Sequence, residues 1–132
     1  MSTDKNAARA TMQALAFSEF GGPEVLNLIE REKPVPASGE VLVRVAAATI
    51  NPTDLLMRSG KQASMMVGLT PPYIAGMEFS GTVAEVGAGV VDLAVGQAVM
   101  GVVNPRTPTG GAHSQYVCIA ASSVAVLADS ID

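Results

Sequence analysis

The sequence predicts a mainly β domain, a partly open barrel of roughly five to seven short strands with one or two short helices. Three observations predict it. Apolar residues come in short runs, several with a two-residue alternation. Glycine and proline separate those runs at Gly21-Gly22-Pro23, at Pro34–Gly39 and at Gly87-Ala88-Gly89, where their backbone preferences favour turns. The composition is 48% hydrophobic but contains only three Phe, two Tyr and no Trp. An aliphatic core follows.

Each element has its own justification. Residues 1–11 are polar, lack periodicity and read as a flexible leader. The ordered domain is expected over 12–132, opening with Met12–Phe20. Val25–Glu32 alternates like a half-buried strand. Val41–Ile50 is an almost continuous apolar run broken by Arg44, and reads as a strand buried on both sides for much of its length. A short helix follows: Asn51 is its cap, Pro52 begins it and Gly60 ends it. Residues 61–75 form an uncharged loop after Lys61. From Glu78 the pattern is strand again, FSGTVAEV, and the residues after the Gly87-Ala88-Gly89 turn, VVDLAVGQAVMGVV, are β-like. Asn104–Gly111 is a polar loop, Ser114–Ala121 a strand, and Val124–Leu127 a short last strand.

Charge and cysteine content narrow the function. The net charge is −4, the isoelectric point is near 4.8, and no basic cluster occurs. Binding to nucleic acid is disfavoured. One cysteine, Cys118, makes neither an internal disulfide nor a multi-cysteine zinc site. No apolar stretch is long enough for a membrane span, and residues 1–13 do not resemble a signal peptide. A cytoplasmic protein is expected.

Two glycine motifs carry different weight. Gly87-Ala88-Gly89 follows a strand like the start of a dinucleotide fingerprint, but Asp92 stands where a third small residue belongs and no amphipathic helix follows. It reads as a tight turn. Gly76-Met77-Glu78-Phe79-Ser80-Gly81, five further residues, Gly87, two more and Val90 form the more informative run. That spacing resembles the zinc alcohol dehydrogenase signature of the medium-chain dehydrogenase/reductase family, with Met77 in place of its histidine. From Met12 to the end the chain resembles that family's N-terminal GroES-like catalytic domain. Val95-Gly96-Gln97-Ala98-Val99 and Gly110–Tyr116 resemble further family elements, with altered residues at Gln97, Ala98, His113, Ser114 and Gln115.

The departures select a branch. Zinc-dependent members place a Cys after the central strand and a His in the triplet; Asn51 and Met77 occupy those positions here. An amide oxygen is a poor zinc ligand and a thioether prefers softer metals, so no zinc is expected. Asn51-Pro52-Thr53-Asp54 with Arg58-Ser59-Gly60 resembles the run found in zinc-independent quinone oxidoreductases and enone reductases. The resemblance implies NADPH-dependent hydride transfer to a quinone or enone. It places Asn51 and Asp54 at the catalytic site, Asn51 and Thr53 near the cofactor, and Leu56, Tyr73 and Met77 on the substrate side. Leu56 stands where relatives often have a Tyr.

Other readings stay open beside these. Asn51, Pro52 and Asp54 also make a complete helix start. Tyr73 faces the cleft or packs. Glu78 reads as the ion-pair partner of Arg58 or Arg44, with an acid behind the site as the alternative. His113 reads as a solvent-exposed loop residue and Cys118 as a small core side chain. The resemblance also implies a Rossmann nucleotide-binding domain outside this chain, supplied as a C-terminal continuation or a separate chain, and a homodimer for the full enzyme. A non-enzymatic GroES-like module and half of an enoyl-thioester reductase are the alternatives.

Overall fold

The computed structural model describes residues 10–129. Its centre is β3 (Glu40–Ala48), with β4 (Glu78–Val86) antiparallel on one side and β6 (Tyr116–Ala120) antiparallel on the other. The sheet continues from β4 to β5 (Ala98–Val102) and β7 (Val124–Val126), giving the order β6-β3-β4-β5-β7. A separate hairpin pairs β1 (Thr11–Ala16) with β2 (Asn27–Glu32). The expected mainly β, half-barrel architecture is present.

Burial follows the pairing. Val41, Leu42 and Val43 are fully buried because strands flank β3 on both sides there. The β6 ladder stops at Arg44–Tyr116. Beyond it Ala46, Ala47 and Ala48 are exposed, so the run is two-sided only in its first half. β4 alternates, with Phe79, Gly81 and Val83 inward. Phe79 and Val83 join Val41, Val43, Val99, Ala112, Val117 and Ile119 in the main core. Aliphatic β-branched side chains suit such a pleated, buried surface.

Helix α1 (Pro52–Ser59) lies outside the sheet. Met57, 1% exposed, anchors it in a second cluster with Phe17, Val25, Met66 and Ala75. Gly60 ends the helix at φ 92°, and a Cβ there would stand 3.1 Å from the Phe20 ring. Both facts favour glycine.

Three expectations change. Thr11, assigned to the leader, already pairs with Glu32, whereas residues 1–9 lie outside the described residues. Residues 90–97 are irregular, with a bend at Asp92 and a turn at Val95-Gly96, and the strand is confined to Ala98–Val102. The Gln97 side chain accepts the Ala94 N–H at 2.8 Å, and Gly96 adopts φ 97°, closing a turn where the apolar pattern suggested strand. Ala63–Met66 forms a 3₁₀ turn inside the expected loop. The glycine turn after β4 is a tight turn, as read: the Gly87 N–H donates to the Glu40 carbonyl at 2.7 Å, and a Cβ on Gly87 would run into the Ala37 carbonyl oxygen. No helix among the described residues is long and apolar enough to cross a membrane.

Removing the Met57 side chain empties the junction between α1 and the β1 end. Met57→Ala should cost about 2–5 kcal/mol of stability, read from the shift of a urea unfolding midpoint.

Candidate functional site

The site is built where β3 hands over to α1. A register shift between Val45 and Ala47 leaves Ala46 without a cross-strand partner, a bulge of the kind that re-aims a strand end. Pairing then resumes through Ala48–Phe79, and the Thr49 N–H donates to the Glu78 carbonyl at 3.1 Å. Thr49 and Glu78 therefore stand side by side. The Thr49 hydroxyl donates to Glu78 Oε1 at 2.9 Å.

Asn51 completes this cluster. Its Nδ2 donates to Thr49 Oγ1 at 2.9 Å and to Glu78 Oε1 at 3.0 Å. A carboxylate only accepts, so the amide nitrogen must be the atom facing it. The two bonds lower the Glu78 pKa from its ordinary 4.5, the Asn51 bond more than the Thr49 bond; burial opposes them weakly. The ion pair expected for Glu78 with Arg58 or Arg44 does not form. Arg58 Nε donates instead to the Gly21 carbonyl at 3.3 Å, and Glu78 is an exposed acceptor of uncharged donors.

Asp54, 6% exposed, secures the same corner from beneath. Its Oδ2 accepts the Asn51 N–H at 2.8 Å and its Oδ1 accepts the Gly76 N–H at 3.0 Å. The Asp54 side chain thus supplies the returning half of a capping box, while the Asp54 N–H donates to the Asn51 carbonyl at 2.9 Å. The acid at the helix start and Arg58 in the last turn both suit the helix dipole.

Met77 and Thr53 meet above this frame, the Thr53 hydroxyl donating to Met77 Sδ at 3.2 Å. Leu56 lies further along α1, 38% exposed. Tyr73 stacks on Phe20, with ring centroids 6.0 Å apart and planes at 4°, and tilts against Phe17 at 5.5 Å. Of its two open roles, packing is the one these contacts fill. Asn51, Thr53, Asp54 and Met77 are thus brought together, whereas Tyr73 belongs to the aromatic cluster.

His113 departs from its expected exposure. It is half-buried, its Nε2 lies 2.9 Å from the Thr49 carbonyl oxygen, and its ring borders an open apolar groove of about 400 Å³ with Leu15, Leu28 and Ile50. Sequence reasoning missed Thr49 as well; its place directly after the central strand was the available signal. Cys118 is half-buried, and burial, then Glu40 and Glu85, push its thiol up to about 11. It stays protonated at neutral pH.

The donor set does not fit zinc. The Asn51 amide oxygen is a poor zinc ligand and the Met77 thioether prefers softer metals, and no group of three His, Cys, Asp or Glu able to hold a metal exists among the described residues.

Residues 37–129 match the model of the alcohol dehydrogenase GroES-like domain. The chain belongs to this family. It is 34% identical over 122 residues to a quinone oxidoreductase of Lama guanicoe, across 92% of this chain and 35% of the relative. A chloroplastic NADPH-dependent alkenal/one oxidoreductase of Arabidopsis thaliana is 33% identical over 127 residues, covering 92% and 32%. The solved structure of the quinone oxidoreductase from Coxiella burnetii superposes with a TM-score of 0.84 at 30% identity, over 93% of this chain and 39% of that one. The chain spans about a third of the length of these curated relatives.

Two outcomes follow from this GroES-like corner. Asp54→Asn presents an amide to two backbone donors and should cost about 1.5–3 kcal/mol, measured by chemical denaturation. Glu78 should titrate below 4.5 in the folded chain. A depressed carboxylate contributes stability that is present above its unfolded value and lost as pH falls through its folded one. In Asn51→Ala the Glu78 carboxyl should titrate closer to 4.5, as followed by side-chain NMR.

Proposed function

We propose that this chain is the substrate-side domain of a zinc-independent, NADPH-dependent quinone or enone oxidoreductase. The observation that carries this reading is the Asn51 amide directly after the central strand, tied to Thr49 and Glu78, at the position where the family resemblance puts the zinc-binding Cys of metal-dependent members. The relatives named above, a quinone oxidoreductase and an alkenal/one oxidoreductase, support the substrate class.

Gly87 meets the backbone of Ala37 and Glu40, so its turn does not fit a pyrophosphate. A separate Rossmann domain therefore holds the nucleotide in this reading. NADPH, when bound there, supplies the hydride that reaches the quinone or the enone β-carbon. Everything else falls to side chains of this chain. Asn51 is the donor for the oxygen that gains negative charge. Its N–H now spent on the exposed Glu78 Oε1 passes to that oxygen, while the freed carboxylate turns to water. One placed donor of this kind is worth about 3 kcal/mol, roughly a hundredfold in rate. Asp54 acts as a positioning residue, since both its oxygens are committed to backbone N–H groups. Thr53, beside Met77, stands at the nicotinamide edge, and Met77 and Leu56 form apolar substrate contacts.

The test joins this chain to a quinone oxidoreductase-type nucleotide-binding domain and follows NADPH oxidation with a benzoquinone and with a simple enone. Turnover is expected in the joined protein, absent from the 132-residue chain alone, unaffected by chelators and reduced at least about tenfold by Asn51→Ala. One equivalent of zinc in the purified protein, or NADPH oxidation by the isolated chain, would overturn the reading.

A further inference from the structure

His113 is the chain's single histidine, and the fold makes room for its ring. Its backbone is held from two sides: its N–H donates to the Ala75 carbonyl at 3.0 Å, and its carbonyl accepts the Leu15 N–H at 2.9 Å. Gly76 adopts φ 104°, and a Cβ there would stand 2.6 Å from His113 Cδ2. Any larger residue at 76 would push the ring away. The ring is therefore placed by β1, by the loop before β4 and by the absence of one side chain.

What the ring reaches is the link between β3 and α1. Residues 49–51 lie between the last paired residue of β3 and the first residue of α1, and Thr49 and Ile50 are exposed. Little packing holds this link. The Thr49 carbonyl oxygen can only accept, so His113 Nε2, 2.9 Å away, carries the hydrogen. In the neutral ring Nδ1 then keeps its lone pair. The hydroxyl of the same Thr49 accepts from Asn51 and donates to Glu78.

We propose that His113 is a positioning residue that holds the Asn51 amide against Glu78 by fixing Thr49. The histidine is hydrogen-bonded to neither Asn51 nor Glu78 in this arrangement; it holds the backbone of Thr49, whose side chain ties them. The importance of Asn51 rests on the reductase reading above. The positioning itself is tested on the amide directly, so failure of that reading leaves it standing.

The experiment uses the ¹⁵N-labelled 132-residue chain, with the Asn51 side-chain amide assigned by its loss in Asn51→Ala. In wild type, His113 Nε2 should give the protonated imidazole signal. His113→Phe keeps a ring without the donor; the Asn51 amide signals should shift, and their hydrogen exchange should quicken by up to about tenfold, the most an ordinary hydrogen bond supplies. His113→Gln, whose amide nitrogen can replace Nε2, should restore both. If His113→Phe fails to fold, His113→Gln and the shorter His113→Asn decide, the first keeping the wild-type signals and the second losing them. Unchanged Asn51 signals in folded His113→Phe, identical behaviour of the Gln and Asn variants, or a proton on Nδ1 alone would overturn the proposal.

Discussion

The candidate site depends on one buried carboxylate. Asp54 is 6% exposed and gives one oxygen to the Asn51 N–H and the other to the Gly76 N–H. Those two donors belong to different parts of the chain, the start of α1 and the loop leading into β4. An ionised acceptor makes such bonds shorter and stronger than neutral ones, and its cost of burial is met only while both donors stay in place. The start of the helix and the loop before β4 are therefore tied to each other through one side chain. Asn51, Met77 and Glu78 inherit their positions from that arrangement.

Above the carboxylate, hydrogen-bond arithmetic determines what the site offers a ligand. Asn51 Nδ2 has two hydrogens, and Thr49 and Glu78 take both. The Thr49 hydroxyl has one, and Glu78 takes it. Glu78 Oε1 accepts from both, which is why its charge is favoured even though the group is exposed. The cluster is self-satisfied but not sealed. Exposed bonds exchange with water at little net cost, so in the proposed reading an incoming acceptor competes with Glu78 for an N–H that already faces it.

Much of this was legible in the sequence, and the parts that were not share a cause. Val41–Ile50, the glycine turns and the Asn51–Gly60 helix depend on local preferences, and each appears where local chemistry puts it. Burial of β3 was overstated because a continuous apolar run does not reveal where a neighbouring ladder ends, and β6 ends at Arg44–Tyr116. Residues 90–97 were misread because side-chain bonding by Gln97 closed a turn that hydropathy alone does not encode. Glu78 was assigned an arginine because charge complementarity is the simplest expectation for an acid. Its real partners, Thr49 and Asn51, depend on cross-strand register. His113 was placed in solvent for the same reason: its partner lies 64 positions away in the chain.

The Asn51 amide and the Met77 thioether set the electrostatics of the corner as well as its ligand chemistry. A zinc site concentrates charge in one ion, and its thiolate and imidazole ligands must be deprotonated to hold it. Here the two carboxyl groups of the cluster belong to Asp54 and Glu78. Asp54 is satisfied by backbone dipoles and Glu78 by uncharged side chains. Met77 adds a polarizable, uncharged surface, with its sulfur already accepting from Thr53. The donors this corner presents are oriented N–H and O–H groups beside an apolar thioether wall.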